Sequence, residues 1–558
     1  MGIIELKMKS KLFPKWKIPV FISSSLAVIV LIFINIYSIW FGHDLPISLS
    51  WVGTVVWILT FVIMLLFSVN CFQRIIKISI KHQTFYTLFI LCVFVGMVLF
   101  RASQPQNISG ETTQATSCIL NSSYLGEKLN ENCFLGYPAR MYLIQSLPSL
   151  VLGRNLLSLN LGAVLIFFPS LVIFAYSLLT ETKSKRLLDL ILGTSIALLF
   201  YFHYVNHFLF YSFEQSIFPL SFGLASLGLL VVYRKKQWSY VLPLFLITTF
   251  WMVFSYTPSL ALLPLVGFYL LINRFSSIKQ RMQWLILFLI VSVSSIVTTL
   301  QYRTDMRLNS TDITWQEKIV KAPAETIEIL SYLVKPEALI PFVSPTIIII
   351  LFSLLFIGII QKKYRIIPFL WVFITLYLAT SAQGYAYYGL DFRVHRSLVI
   401  LPVILMLAVQ VSHRLLSNTH LSWPKQTRLV LITLFALTLF VGLENNSKFI
   451  DAKKPDDRQL LSLFVSNNLN VAREIPFYIV DAKPYQNLVS APDFLVYFSP
   501  RFKVKLITTR ECMISPSGLY LFGPDNECAR VIMQDKRTVI WGQYLDTQGL
   551  EMLVLEKK

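Results

Sequence analysis

Long apolar stretches separated by short polar ones occupy the chain as far as residue 443. A helix that crosses a bilayer needs roughly 17–25 predominantly apolar residues. Stretches of that kind recur often enough to predict about thirteen transmembrane helices. They lie near Ile18–Phe41, Trp51–Phe72, Thr84–Phe100, Leu156–Leu179, Leu187–His203, Ile217–Tyr233, Tyr240–Phe254, Thr257–Ile272, Trp284–Leu300, Pro341–Ile360, Ile366–Ser381, Ser397–Val411 and Leu429–Leu443.

The tail, residues 444–558, follows a different pattern. Arg458–Leu469 has the spacing of an amphipathic helix, and short β-rich runs bounded by Pro, Gly and Asp follow it. Such a segment is long enough to form a core of its own. The predicted fold class is therefore an all-α polytopic membrane protein, residues 1–443, with a small extracytoplasmic α/β domain, residues 444–558. Its expected strands are Pro476–Asp481, Lys503–Thr508, Gly518–Phe522, Thr538–Trp541 and Met552–Leu555.

The placement of charges sets the predicted orientation. Only 14% of the 558 residues are charged, against about 25% in soluble domains, yet the formal net charge is +20. Basic residues precede the first helix and recur on alternate short loops, which by the positive-inside rule places the N-terminus in the cytoplasm and the tail outside. This distribution accounts for the net charge without nucleic acid. The basic loops contain Arg74/Lys77/Lys81, Lys183/Lys185/Arg186, Arg234/Lys235/Lys236, Arg274/Lys279/Arg281, Lys362/Lys363/Arg365 and Arg414/Lys425/Arg428.

Three large polar segments then share the outer face: residues 101–154, residues 301–340 and the tail. Four of the 6 cysteines lie in them, where disulfides form and persist. We expect Cys118 to pair with Cys133 and Cys512 with Cys528; free thiols are the alternative.

The first outer segment carries the most informative pattern. Glu111 lies just past a membrane exit, and an amphipathic Tyr-Pro segment then predicts an interfacial helix over Tyr137–Leu150. A Leu-Gly-Arg-Asn turn at 152–155 leads into a new apolar helix. This order resembles the first large external loop of the GT-C glycosyltransferases, multi-spanning enzymes that move a sugar from a lipid phosphate carrier. The likeness is to members that use polyprenyl-phosphate sugars, of the protein-mannosyltransferase and aminoarabinose-transferase type. A single acid instead of an acidic pair, and extra helices before the loop, depart from the family pattern.

The resemblance implies that Glu111 is the catalytic base, because sugar transfer needs a base beside the acceptor and burial can raise a carboxyl pKa to suit. A solvated loop acid is the alternative, and Glu127 and Glu131 look like surface residues. It also implies that arginines of the stretch 383–396 hold the carrier phosphate, since guanidinium offers paired donors to anionic oxygens. The residues expected at the phosphate are Arg393, Arg396, His395 and Arg140; ordinary interfacial anchoring is the alternative.

Aromatic and polar residues at the predicted outer edge could line a sugar site. They are Tyr137, His207, Glu214 and Tyr388, although membrane-interface belts are also rich in tyrosine. The sequence has no metal-spaced Cys/His set, Walker loop, nucleophile elbow or dinucleotide fingerprint. No metal site is therefore expected and no cofactor is evident, although the use of a divalent metal ion is the alternative.

The expected function is transfer of a hexosyl or pentosyl group from a polyprenyl-phosphate carrier to a glycan, lipid or protein acceptor. It would take place on the outer face of a bacterial inner or plasma membrane. One alternative is an O-antigen ligase or polymerase, whose active loop would be the late cluster Tyr385–Arg396. The other is a lipid or glycan transporter, which should carry ionisable residues deep inside its helices, where this chain has few.

Overall fold

The computed structural model is mostly helical and has a small sheet near its C-terminal end. It describes residues 13–41, 47–102, 143–180, 185–196, 217–236, 240–255, 262–271, 277–302, 476–480, 503–514, 517–522, 526–545 and 551–557, with single residues and short stretches between them. The chain divides into two compact units. Unit one comprises Met1–Gly96, Leu165–Tyr204 and Gln215–Asn445, and unit two comprises Met97–Val164, Val205–Glu214 and Asn446–Lys558.

Apart from Leu143–Leu152, the described helices before residue 303 overlap the predicted apolar stretches, and one of them, Leu156–Leu179, matches at both ends. The second helix runs ten residues past its predicted end at Phe72, to His82. The last four predicted spans, from Pro341 to Leu443, lie outside the described residues apart from isolated positions. The helices are α1 Phe13–Phe41, α2 Ile47–His82, α3 Tyr86–Ala102, α4 Leu143–Leu152, α5 Leu156–Leu179, α6 Lys185–Ile196, α7 Ile217–Lys236, α8 Val241–Ser255, α9 Leu262–Leu271 and α10 Ile278–Tyr302.

Two of the described helices are long and apolar enough to cross a membrane by length and composition: Val52–His82 within α2 and Leu157–Leu179 within α5. The core helix of a soluble protein passes the same test. Which side chains these and the neighbouring helices bury is therefore the more informative observation.

Helices α1, α2 and α10 of unit one bury polar residues and expose mainly apolar ones. Their polar residues Ser24, Thr60 and Ser295 are fully buried. Apart from polar residues at the end of α2 and the start of α10, their exposed positions recur at helical spacing and are apolar, which is the reverse of a water-facing helix. The exposed residues are Ile18, Ile22, Leu26, Ile29 and Phe33 on α1, Val55, Ile58, Val62, Leu65 and Val69 on α2, and Ile278, Met282, Ile286, Leu289 and Val293 on α10.

Helix α8 is the centre of unit one, since every one of its residues is buried. It packs against α7 and against α1 and α10. The indole of Trp251 donates to Thr60 Oγ1 at 3.0 Å, and Ser295 Oγ donates to the carbonyl of Phe250 at 2.8 Å. These two buried polar groups are thus hydrogen-bonded between helices, which offsets the cost of burying them in an apolar surrounding.

The turn between α2 and α3 is capped by helix α6. Asp189 is buried, and its carboxylate oxygens accept from the backbone N–H groups of Tyr86 and Thr87, each at 3.0 Å. A carboxylate at a helix N-terminus satisfies unpaired donors and meets the positive end of the helix dipole. Gly193 of α6 lies against the Tyr86 ring so closely that a Cβ there would collide with it. The short α6 is therefore fixed against the first residues of α3.

Residues from several predicted cytoplasmic loops meet one another in unit one. Arg186 donates to Gln83 Oε1 at 2.8 Å, which joins the second basic loop to the end of α2. Arg74 lies 4.8 Å from the Trp238 ring centroid, a cation–π distance. These contacts place loops that the sequence assigns to one side of a membrane together in space.

Unit two contains a mixed sheet with strand order β4-β3-β5-β7-β6. The strands β3, β4 and β5 are parallel, and β7 pairs antiparallel with both β5 and β6. All five lie where the sequence predicts strands, although β6 and β7 extend further than expected. Their bounds are β3 Pro476–Val480, β4 Lys503–Ile507, β5 Gly518–Phe522, β6 Val539–Leu545 and β7 Glu551–Lys557.

Two short helices cover one face of this sheet, α11 Thr509–Ile514 and α12 Glu527–Gln534. Cys512 and Cys528 join them by a disulfide, as predicted, and both side chains are fully buried against Tyr478 and Tyr520. Asn526 caps α12 by accepting from the Cys528 N–H at 2.9 Å, and its amide donates to Thr509 Oγ1 at 2.9 Å. The disulfide therefore closes a core that is also hydrogen-bonded.

One local prediction is wrong. The interfacial helix expected over Tyr137–Leu150 begins only at Leu143 and runs to Leu152. Tyr137–Pro138 is instead strand β2, which pairs antiparallel with β1, Asn132–Phe134. Pro138 accounts for the difference, because the residue before a proline is biased away from helical backbone and toward extended backbone.

Candidate functional site

The predicted turn between α4 and α5 is present and built from local chemistry. Gly153 has φ of 78°, the left-handed conformation that commonly ends a helix and that glycine adopts without strain. Asn155 Oδ1 then accepts from the Ser158 N–H at 2.8 Å, and Ser158 Oγ accepts from the Asn155 N–H at 3.2 Å. This reciprocal pair is a capping box in which serine takes the usual place of Glu or Gln. The turn is therefore fixed by its own sequence.

Tyr497, from the tail, reaches this turn with its hydroxyl. Tyr497 O–H donates to the carbonyl of Asn155 at 3.1 Å. Its oxygen also lies 2.9 Å from Ser149 Oγ on α4 and 3.0 Å from Ser158 Oγ on α5. We call Ser149, Asn155, Ser158 and Tyr497 the Tyr497 cluster. It ties the α4–α5 hairpin to the C-terminal segment within unit two.

Apolar packing surrounds the cluster. The Tyr497 ring and Leu159 are both fully buried, and Leu120 and Leu463 pack against them. Helices α4 and α5 approach so closely beside the cluster that a Cβ on Gly162 would collide with the backbone of Gln145. The hydroxyl groups of the cluster therefore bond in a site from which water is excluded, where hydrogen bonds are stronger than in water.

Arg154 supplies the positive charge next to the cluster. Partial burial lowers the pKa of the Arg154 guanidinium, and the nearby Tyr497 phenol opposes that shift. Burial raises the pKa of the Tyr497 phenol, while hydrogen bonds to Ser149 and Ser158 and the charge of Arg154 act in the other direction. At neutral pH the phenol is thus protonated and can donate, and the guanidinium is charged.

The chemistry available here is positioning. A protonated phenol and two serine hydroxyls can fix the hairpin, but none of these groups is an activated base or nucleophile at neutral pH. Among the residues that the structure describes, no group of three or more His, Cys, Asp or Glu is placed to hold a metal ion. The Tyr497 cluster therefore holds the α4–α5 hairpin and the C-terminal segment together.

Few of the predicted site residues lie in the described part of the chain. Cys512 and Cys528 form the expected bond, and the backbones of Cys133 and Tyr137 lie in β1 and β2. The remaining predicted residues lie outside the described part of the chain, so the Cys118–Cys133 pairing also stays a prediction. They are Glu111, Cys118, Arg140, His207, Glu214, Tyr388, Arg393, His395 and Arg396.

The members of the Tyr497 cluster other than Asn155 are absent from the predicted site. Ser149 and Ser158 stand on either side of the predicted turn in otherwise apolar helices, which is a weak signal for a paired polar contact. Nothing in the sequence distinguishes Tyr497 among 25 tyrosines. Only folding brings it to the hairpin.

Comparison with known proteins gives a likeness among solved structures. No protein-family model matches the chain, and no curated protein matches it either. Among solved structures, the chain is similar to ArnT from Cupriavidus metallidurans in the apo state, with a TM-score of 0.49 and 10% identity. The alignment covers 84% of this chain and 98% of that one. A likeness at this score and identity is too weak to assign a function.

Proposed function

We propose that this chain is a GT-C-type membrane glycosyltransferase that moves a sugar from a polyprenyl-phosphate carrier to an acceptor on the outer face of the membrane. The proposal rests mainly on the order of elements after Tyr137. These are the amphipathic helix α4, the tight turn at Gly153–Asn155 and the apolar helix α5. This is the pattern on which the resemblance rests, and its turn and helix have the form that the sequence predicts.

Helices that bury polar residues and expose apolar ones support the membrane location. A soluble protein rarely exposes contiguous apolar surface beyond a few hundred Å². Helices α1, α2 and α10 expose aliphatic stripes and bury serine and threonine, which is how membrane helices are arranged when their apolar faces meet lipid. The buried hydroxyls of Thr60 and Ser295 contact neighbouring helices, so they do not need water.

Contacts among the basic loops support the proposed orientation. Arg186 meets Gln83, and Arg74 meets Trp238, so basic segments at 74–83, 185–186 and 234–238 gather together. Basic residues on alternate loops mark the cytoplasmic side. The N-terminus would then be cytoplasmic and Lys558 extracytoplasmic, where the Cys512–Cys528 disulfide would persist.

The proposed chemistry uses residues outside the described part of the chain. Glu111 would accept the proton of the attacking acceptor hydroxyl or amide while the sugar leaves its phosphate with inversion. Arg393, Arg396 and His395 would hold the departing lipid phosphate, with Arg140 as a further candidate. Tyr137, His207, Glu214 and Tyr388 would line the sugar site.

The support that the structure adds is the fixed hairpin. Transfer by positioning requires reacting groups to be held within a fraction of an ångström, which rigid supporting elements supply. The Tyr497 cluster locks α4 to α5 and to the tail.

The function is tested on the full chain reconstituted in lipid vesicles. Lipid-linked sugars that co-purify with the protein are identified by mass spectrometry, and each is supplied as a radiolabelled polyprenyl-phosphate donor with extracted envelope acceptors. Transfer of label from the lipid to an acceptor supports the proposal. Transfer of a whole preassembled glycan would favour an O-antigen ligase or polymerase. Movement of intact lipid across the bilayer without transfer would favour a transporter.

A further inference from the structure

Four basic stretches of unit one lie next to one another. The contact of Arg186 with Gln83 joins the start of α6 to the end of α2, and the cation–π contact of Arg74 joins α2 to the residues that follow α7. The end of α7 meets the start of α10, where the Tyr233 ring lies edge-on to the Trp284 ring with centroids 5.9 Å apart. The lysines and arginines that these contacts gather form what we call the basic surface of unit one. They are Arg74, Lys77, Lys81, Lys185, Arg186, Arg234, Lys235, Lys236, Lys279 and Arg281.

Few negative charges accompany this surface. Among the described residues of stretches 74–83, 185–196, 233–240 and 277–284, the only carboxylate is that of Asp189. Both of its oxygens accept from backbone N–H groups at the start of α3. Like charges gathered in one place repel one another and attract anions from their surroundings. The basic surface is therefore suited to an anionic partner.

Exposed apolar side chains lie directly beside the cations. Ile80 precedes Lys81 on α2, and Ile278 precedes Lys279 on α10; these isoleucines are 64% and 75% exposed. Trp238, which is half-buried, lies in the same group of stretches. Tryptophan is enriched where membrane proteins pass through the lipid headgroups. The basic surface therefore offers charge and apolar contact together.

This combination restricts the chemical class of the anion. A nucleic acid or a soluble polyphosphate would neutralise the cations but leave the exposed isoleucines in water. An anionic phospholipid meets both requirements, because its phosphate can contact the cations while its acyl chains cover the apolar side chains. The proposed orientation also puts the basic stretches at the cytoplasmic leaflet, whose surface is negatively charged.

We propose that the basic surface of unit one binds the headgroups of anionic phospholipids, with the neighbouring isoleucines against the acyl chains. Lysine and arginine donate charge-assisted hydrogen bonds to phosphate oxygens. The inference goes beyond the orientation of the loops, because orientation alone requires neither contact among the four stretches nor a bound lipid. It rests on the membrane location given above and is independent of the sugar-transfer chemistry.

The test measures lipid binding by the full chain in phosphatidylcholine–detergent micelles, in the absence of any sugar donor. The probe is radiolabelled phosphatidylglycerol, and radiolabelled phosphatidylcholine is the neutral comparison. The variant Lys81→Gln/Lys236→Gln/Lys279→Gln removes three exposed cations, one from each of three basic stretches. Its charge-retaining partner carries arginine at the same three positions and should bind as the wild type does.

The matched control is Lys505→Gln/Arg510→Gln/Lys536→Gln, which removes three exposed cations from the C-terminal sheet domain and changes the net charge equally. The wild type and this control should bind phosphatidylglycerol more tightly than phosphatidylcholine. The glutamine variant of unit one should bind phosphatidylglycerol about tenfold or more weakly than the wild type. Salt at about 1 M should also weaken binding by the wild type, because it shortens the Debye length to about 3 Å.

Equal losses in the unit-one variant and the control, or no preference of the wild type for phosphatidylglycerol, would overturn the proposal. Competition separates the lipid from soluble anions. Glycerol phosphate, which has the headgroup without acyl chains, should displace the probe poorly. If glycerol phosphate or a single-stranded oligonucleotide displaced it as well as unlabelled phosphatidylglycerol does, the partner would be a soluble anion and the proposal would be wrong.

Discussion

Tyr497 and Ser149 lie 348 positions apart in the chain, yet their hydroxyl oxygens are 2.9 Å apart in a buried site. The contact fastens the tail to the α4–α5 hairpin, which begins within the first outer segment. A long-range bond of this kind has to overcome the entropy of ordering both segments, so it depends on the packing of Leu159 and Leu120 around it. The two parts of unit two should consequently lose stability together when the contact is removed.

A double-mutant cycle measures that coupling. Ser149→Ala and Tyr497→Phe should each lower the free energy of unfolding by about 1–3 kcal/mol, because each leaves buried hydrogen-bonding partners unsatisfied. The double variant should lose less than the sum of the two. Ser146→Ala is the matched control, since Ser146 is also buried on α4 but bonds only the carbonyl of Leu143 in its own helix. Thermal unfolding of the full chain in detergent checks this, and additive losses would show that the two hydroxyls act independently.

The Tyr497 cluster should weaken at high pH. Burial raises the pKa of the Tyr497 phenol above the usual value of about 10, so the folded state holds this proton more tightly than the unfolded state. Its stabilisation is therefore complete below about pH 10 and is lost as pH rises through the folded-state pKa. The difference in unfolding midpoint between the wild type and Tyr497→Phe should be constant from about pH 7 to 9 and shrink above about 10. A difference that grows with pH would contradict the assigned direction.

Removing the Cys512–Cys528 disulfide should destabilise the C-terminal sheet domain. The chain-entropy estimate for a loop of this size is about 3 kcal/mol. The double variant Cys512→Ala/Cys528→Ala should expose the tail to protease at a lower temperature than the wild type. Reduction of the wild-type bond by a strong thiol reductant is the control and should give the same pattern. Non-reducing mass mapping that finds either cysteine free would show that the bond is absent in the folded protein.

Reporter fusions check the proposed topology. A reporter that follows Lys236, at the end of α7, should be active only when the assay reports cytoplasmic location. A reporter that follows Lys558 should be active only outside. Cytoplasmic activity at Lys558 would show that the tail lies on the cytoplasmic side. The oxidising compartment invoked for its disulfide would then be absent.

The sequence predicts most of the helices before residue 303 and the strands of the tail because each rests on a local signal. Helix α5 is a long apolar stretch, and β5 is a short apolar run that begins at a glycine. It also predicts the turn at 152–155, since Gly153 and Asn155 act through their own backbone and side chain. Tyr497 could not be predicted, because its role depends on contacts between distant segments and a tyrosine in an α/β tail has no distinguishing spacing. The helix expected from Tyr137 failed at Pro138, where a pairing strand overrode the amphipathic pattern.

The proposed phosphate site can be tested separately from Glu111, because the two lie far apart in the sequence. Arg393→Ala and Arg396→Ala should weaken donor binding, since each removes a charge-assisted contact worth about 1.5–3 kcal/mol. Lysine should be a poor substitute at a forked contact. Measuring donor binding by these variants tests the phosphate site independently of turnover.

The most direct measurement of the central claim is the rate of sugar transfer from a polyprenyl-phosphate donor by the wild type and by Glu111→Gln, with donor binding measured in parallel. Glu111→Gln keeps the size of the side chain but cannot take the acceptor's proton, so turnover should fall about 10²–10⁴-fold while donor binding is retained. Glu127→Gln, at an acid predicted to lie on the surface, should transfer at the wild-type rate. Full activity in Glu111→Gln, or no transfer by the wild type from any lipid-linked sugar that co-purifies with it, would contradict the account.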